Sequence, residues 1–95
     1  LKPFSVDYKC YRAKNFKGSV ELGFSEVSSN CRVYIFPSFR SNGVYSPVNP
    51  QVVNGSNLVK TINNFGTDIT DLFILVENTS PDSDAAATLK VKVKE

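Results

Sequence analysis

Few side chains in this 95-residue sequence could carry chemistry, and histidine is not among them. Its absence removes the commonest general base and the commonest metal ligand. Neither a Ser-His-Asp triad nor a Cys-His pair can be assembled from this chain. Cys10 and Cys31 are the only cysteines, and two thiolates without imidazole fall short of a structural zinc site. The carboxylates occur in close pairs: Asp68 and Asp71 ahead of an apolar run, Asp82 and Asp84 in a polar stretch. Such pairs suit Ca²⁺, which collects oxygen ligands. They lack the regular Asp-x-Asp-x-Asp-Gly loop, so solvated acids that form turns are the favoured reading. Gly18, Gly23, Gly43, Gly55 and Gly66 are isolated, and no phosphate-cradling loop is present. These observations predict a protein that is not an enzyme and holds no cofactor, calcium being the one candidate.

Binding is the chemistry left. Tyr34, Phe36, Phe39 and Tyr45 fall close together, and with Val33 and Ile35 turned inward, Tyr34 and Phe36 lie on the opposite face. Aromatics displayed there would stack on sugars or anchor a protein partner. The competing reading, a strand covered on both sides, is favoured because large exposed apolar patches are uncommon on monomers. Lys90, Lys92 and Lys94 alternate along the last apolar run, and Lys9, Arg12, Lys14 and Lys17 lie near the first turn. If the first and last strands are neighbours, these groups merge into a basic patch for sulfated glycans or anionic membranes. Edge protection explains the lysines more simply.

Net charge is only +2, too small to point to nucleic acid. The longest apolar run, Leu72 to Val76, is far short of a membrane span. An even cysteine count in a small domain suggests a Cys10–Cys31 disulfide. Asn54-Gly55-Ser56 and Asn78-Thr79-Ser80 are glycosylation sequons in turn-like sequence. Cysteines and sequons together predict an extracellular or cell-surface protein. The chain starts at Leu1 and lacks methionine, which reads as one domain, residues 1–95, excised from a larger protein with adjacent domains as partners.

The elements that would position these residues are strands. Phe4, Val6, Tyr8 and Cys10 share one face of an extended segment, with Ser5, Asp7 and Lys9 on the other. Val20, Leu22 and Phe24 point inward along a second run, and residues 32–36 form a third, so the three read as a meander. Such a meander puts Cys10 and Cys31 about 9.6 Å apart, two strand spacings. A disulfide then needs the first strand to leave the meander, because bonded Cα atoms rarely exceed about 6.8 Å. Residues 37–56, with three prolines and two Asn-Gly turns, read as a long connection with a short edge strand near Val44 or Val52. Residues 58–62 resume strand character, and residues 63–67 turn. Residues 72–76 are apolar on both faces, as in a central strand covered on both sides. Residues 88–93 close the domain with Leu89, Val91 and Val93 inward. Seven or eight short strands predict an all-β antiparallel sandwich of jelly-roll or Greek-key type.

Residues 4–8, 17–22 and 33–36 resemble the opening strands of bacterial pre-peptidase C-terminal domains. Residues 71–78 followed by 87–91 resemble that family's closing pair, so the likeness spans most of the chain. It implies a jelly-roll-like, non-catalytic accessory module attached to a secreted enzyme or surface protein. One departure stands out: Asn30-Cys31-Arg32 lies where the family often carries an acidic residue before its third strand, which puts a family-like calcium contact in doubt. The expected function is an accessory or adhesion module that contacts carbohydrate or a protein. The alternatives are a structural domain of a multidomain or viral coat protein, and a small secreted inhibitor or effector.

Overall fold

Alternating runs of β-branched and aromatic residues, broken by Asn, Gly, Pro and Ser, fold here as strands joined by turns. A computed structural model describes residues 1–14, 17–54 and 58–94, with residues 54 and 58 by backbone alone. The strands are β1 (Val6–Arg12), β2 (Gly18–Ser25), β3 (Cys31–Ser41), β4 (Val44–Pro47), β5 (Gln51–Asn54), β6 (Leu58–Phe65), β7 (Asp71–Asn78) and β8 (Thr88–Lys94). They form two antiparallel sheets, as the period-2 reading predicts. The larger runs β1-β7-β3, with β4 and β5 end to end along the far side of β3, and the smaller runs β6-β2-β8.

The sheets bury one core between them. Val20, Leu22 and Phe24 of β2 and Ile62 and Phe65 of β6 oppose Val33 and Ile35 of β3, Leu72 and Ile74 of β7 and Val53 of β5. Burying an aliphatic side chain of this size is worth roughly 1.5–3 kcal/mol, so this cluster drives the closure of the sandwich.

Three expectations need correction. The opening runs are not a meander, because β2 belongs to the small sheet and β7 inserts between β1 and β3. The disulfide is absent: both thiols are free, Cys10 exposed and Cys31 buried. They lie on opposite faces, and Cys10 pairs with Phe73 while Cys31 pairs with Asn78. Two strand spacings across and about 17 Å along the sheet separate them, far beyond bridging distance. The long connection is largely strand. β3 runs on to Ser41 and turns back into β4 through Asn42 and Gly43, whose φ angles of 52° and 78° make a tight two-residue hairpin. Pro37 sits within β3 where pairing on that side switches from β5 to β4, so its missing donor interrupts little.

β1 holds a finding of its own. The face carrying Val6, Tyr8 and Cys10 turns to solvent, and Asp7, Lys9 and Tyr11 turn toward the small sheet. Tyr8 remains 69% exposed and Val6 51%.

Candidate functional site

Strand alternation assembles the outer face of the large sheet row by row. Val6, Glu77 and Arg32 form one end row. Tyr8, Leu75, Tyr34 and Val52 form the next, and Cys10, Phe73 and Phe36 the third. Arg12, Asp71, Ser38 and Pro47 form the fourth, with Arg40 and Tyr45 beyond it. Two apolar rows thus lie between two rows bearing charge. Val52 is 55% exposed and Tyr45 42%, while Tyr34, Phe36, Phe73 and Leu75 are half-buried.

The rings are held by one another and by the charged rows. Tyr34 and Phe36 lie parallel with centroids 6.2 Å apart, and Tyr45 meets Phe73 edge to face at 5.3 Å. At one end the Arg12 Nε donates to Asp71 Oδ2 at 3.0 Å and its Nη2 to Tyr45 Oη at 3.1 Å. Arg40 Nε lies 3.7 Å from Asp71 Oδ1, which also accepts from Thr70 Oγ1 at 2.8 Å. Asp71 is fully buried beneath these partners. The hydrogen bond to Asp71 raises the Arg12 pKa, so its guanidinium stays charged. At the other end Arg32 Nη1 donates to Tyr34 Oη at 3.4 Å, and Tyr34 Oη donates to Glu77 Oε1 at 3.2 Å. The Cys10 thiol between them has its pKa raised, first by desolvation and then by the Asp71 charge.

Of the residues singled out from sequence, Tyr34, Phe36 and Tyr45 come together on this face. Phe39 does not: it alternates with Arg40 and points to the opposite side, 41% exposed at the projecting β3–β4 hairpin. Lys90 and Lys92 lie with Lys94 on the outer face of the small sheet, across the sandwich from the aromatic rows. Their strand is an edge, as the edge-protection reading predicts, and Lys94 Nζ reaches Glu21 Oε2 at 3.5 Å. Of the basic groups, Lys17 and Lys94 line one cleft, whereas Arg12 turns to Asp71 on the large sheet.

The four aspartates are scattered. Asp71 serves the arginines, Asp82 accepts from Ser80 and Ser83, and Asp68 and Asp84 lie exposed elsewhere. Among the described residues no group of three or more His, Cys, Asp or Glu could hold a metal ion. The Asn78 sequon needs correction as well. Asn78 is fully buried, and its Nδ2 donates to the carbonyls of Leu1 (3.2 Å), Lys2 (3.0 Å) and Ser83 (2.7 Å), leaving no room for a glycan. The Asn54 sequon falls outside the described residues, its side chain included.

Sequence reasoning missed Tyr8, Val52, Phe73, Leu75 and the Arg12–Asp71–Arg40 cluster. The signal for Phe73 and Leu75 was present in the two-sided apolar run of β7. The cluster is invisible in sequence because its members lie 59 and 31 positions from Asp71. Among the described residues no helix is long and apolar enough to cross a membrane. Comparison with protein-family models, curated proteins and solved structures returns no match.

Proposed function

We propose that this domain is a non-catalytic docking module that binds a protein partner through the outer face of its large sheet. One observation carries the reading: β1 turns Val6, Tyr8 and Cys10 to the outer face, beside the central apolar positions Tyr34 and Phe36 of β3 and Phe73 and Leu75 of β7, whose inner faces already supply the core. Sheets patterned apolar on both faces are ordinarily covered on both. The composition also suits an interface, with Tyr, Phe and aliphatic rows at the centre and Arg at the rim. This is the accessory role that the resemblance to pre-peptidase C-terminal domains implies, and an extracellular or surface location accords with it.

Sugar stacking is the weaker use of the same face. The hydroxyls of Tyr34 and Tyr45 and the carboxylates of Asp71 and Glu77 are engaged with groups of this chain, and aliphatic Val52 and Leu75 interrupt the rings. A glycan platform needs polar groups free to meet sugar hydroxyls.

Cys10 reports on the claim, since its thiol lies on this face, with buried Cys31 as internal control. In protein isolated under native conditions from its source, maleimide should label Cys10 at least tenfold more slowly than in a Tyr8→Asp variant. Equal rates would refute the docking reading.

A further inference from the structure

We infer that the free edge of β8 takes up an extended segment of a partner protein as a fourth strand of the small sheet, a segment apolar at one set of alternate positions and acidic at the other. This edge lies apart from the outer face of the large sheet, and what binds it is independent of the docking reading. The large sheet is four strands wide and the small sheet three, and among the described residues β8 pairs only with β2. β6 lies against the β4 and β5 side, where Val48 and Gln51 share a hollow with Thr61 and Ile62. The unmatched width is therefore over β1, beside β8.

Burial marks this side as uncovered. Val91 and Val93 pair with the core residues Leu22 and Val20 and so turn inward, yet Val91 is only half-buried and Val93 is 58% exposed. Across the gap, β1 is exposed on both faces apart from the half-buried Tyr11. Two hollows of about 450 and 420 Å³ follow one another between these strands and meet at Tyr11. Ile74, Val76 and Leu89 line the first, and Val20, Val91 and Val93 the second. A strand hydrogen-bonded to the edge of β8 would send alternate side chains into both hollows, which is how an extended peptide adds to a sheet.

Charge decides what the other positions carry. Residues opposite each other in a ladder share a face, so the outward residues of the added strand stand beside Lys90, Lys92 and Lys94. Glu21 lies on the β2 side, opposite Lys92 and bonded to Lys94, and Glu26 lies beyond them at Thr88. Three lysines against Glu21 leave this face positive. Lys14 at the second hollow and Lys17 beside Lys94 add to it, while Arg12 is held by Asp71. Asp7 and Lys9 on the opposite wall offset each other. A second copy of β8 would lay lysine against lysine, which opposes pairing, whereas aspartate or glutamate at those positions favours it.

The test titrates capped peptides of about eight residues into the isotopically labelled full chain, followed by nuclear magnetic resonance. Three are used: alternating valine and glutamate, alternating valine and lysine, and alternating serine and glutamate. The valine–glutamate peptide should shift the amides of residues 89–94 and, at saturation, slow exchange of those that point away from β2 at least tenfold. The valine–lysine peptide should bind at least tenfold more weakly, as should the serine–glutamate peptide, which keeps the charge and loses the apolar face. Lys90→Glu, opposite Gly23 and so not set against Glu21, should weaken the valine–glutamate peptide at least fivefold with unchanged circular dichroism. Equal binding of the serine–glutamate peptide would reduce the site to a charged surface and overturn the added strand. Equal binding of the valine–lysine peptide would overturn the acidic partner. So would exchange at residues 89–94 that slows with chain concentration in the absence of peptide, the sign of a second copy on the edge. Unshifted amides at residues 89–94 up to about 1 mM valine–glutamate peptide overturn the inference altogether, and Cys10 labelling still decides the large-sheet face separately.

Discussion

At the scale of single residues, two buried polar groups do more than the apolar ones to fix what surrounds the proposed interface. Asn78 ties the amino-terminal segment to the loop after β7 with three donated bonds. Leaving several acceptors short of a donor costs about 1–3 kcal/mol per buried group, discounted here because Lys2 and Ser83 are exposed. Asn78→Ala should therefore lower stability by about 2 kcal/mol in urea unfolding, and a loss below about 0.5 kcal/mol would contradict the assignment. Asp71 binds Arg12 and Arg40 and raises the pKa of Cys10 after desolvation does. A raised thiol pKa keeps Cys10 protonated to higher pH, so its reactivity lags that of a free cysteine as pH rises. Asp71→Asn removes one cause and leaves the opposing pull of Arg12 and Arg40. Cys10 alkylation in a Tyr8→Asp background should then accelerate, with its pH midpoint moving downward; an upward shift would contradict the charge argument.

At the scale of elements, the instructive strand is β1. Its alternation marks two faces but cannot say which one the core covers, because that depends on the sheet it joins. Pairing with β7 turned Tyr8 outward. The β7 run predicts a central strand, which it is, but the cover expected on both sides is present only on the face that meets the small sheet. The β3–β4 hairpin was half legible: Asn42-Gly43 marked the turn, while Pro37 disguised the continuation of β3, since proline normally ends a strand unless the neighbouring ladder is broken there. Gly43 holds φ at 78° with open space around its α-carbon. Replacement by alanine therefore meets only backbone strain, and Gly43→Ala should cost about 1 kcal/mol, read as a lower thermal midpoint with native circular dichroism. An unchanged midpoint would argue against the tight turn.

At the scale of the molecule, composition and periodicity made the all-β sandwich legible, because β2 and β8 alternate apolar with polar residues and the short β7 run is apolar throughout. The pairing order was not legible: whether β2 or β7 neighbours β3 depends on contacts far apart in sequence. The disulfide expectation failed for that reason, and the aromatic site was seen only in part. Tyr34, Phe36 and Tyr45 are near one another in the chain, whereas Tyr8, Val52, Phe73 and Leu75 arrive from three other strands. The outcome is a sandwich with two unlike exteriors: a lysine-bearing small sheet patterned for water and a large sheet patterned for cover. Hydroxyl-radical footprinting of protein isolated under native conditions tests that asymmetry most directly, each residue being normalised to the unfolded chain. Tyr8, Tyr45 and Val52 should be protected well beyond what their exposures of 69%, 42% and 55% allow, while Val59 on the small sheet, 62% exposed, reacts freely. Tyr8 and Val52 reacting as freely as Val59 would contradict the claim that the large sheet's outer face is a docking surface.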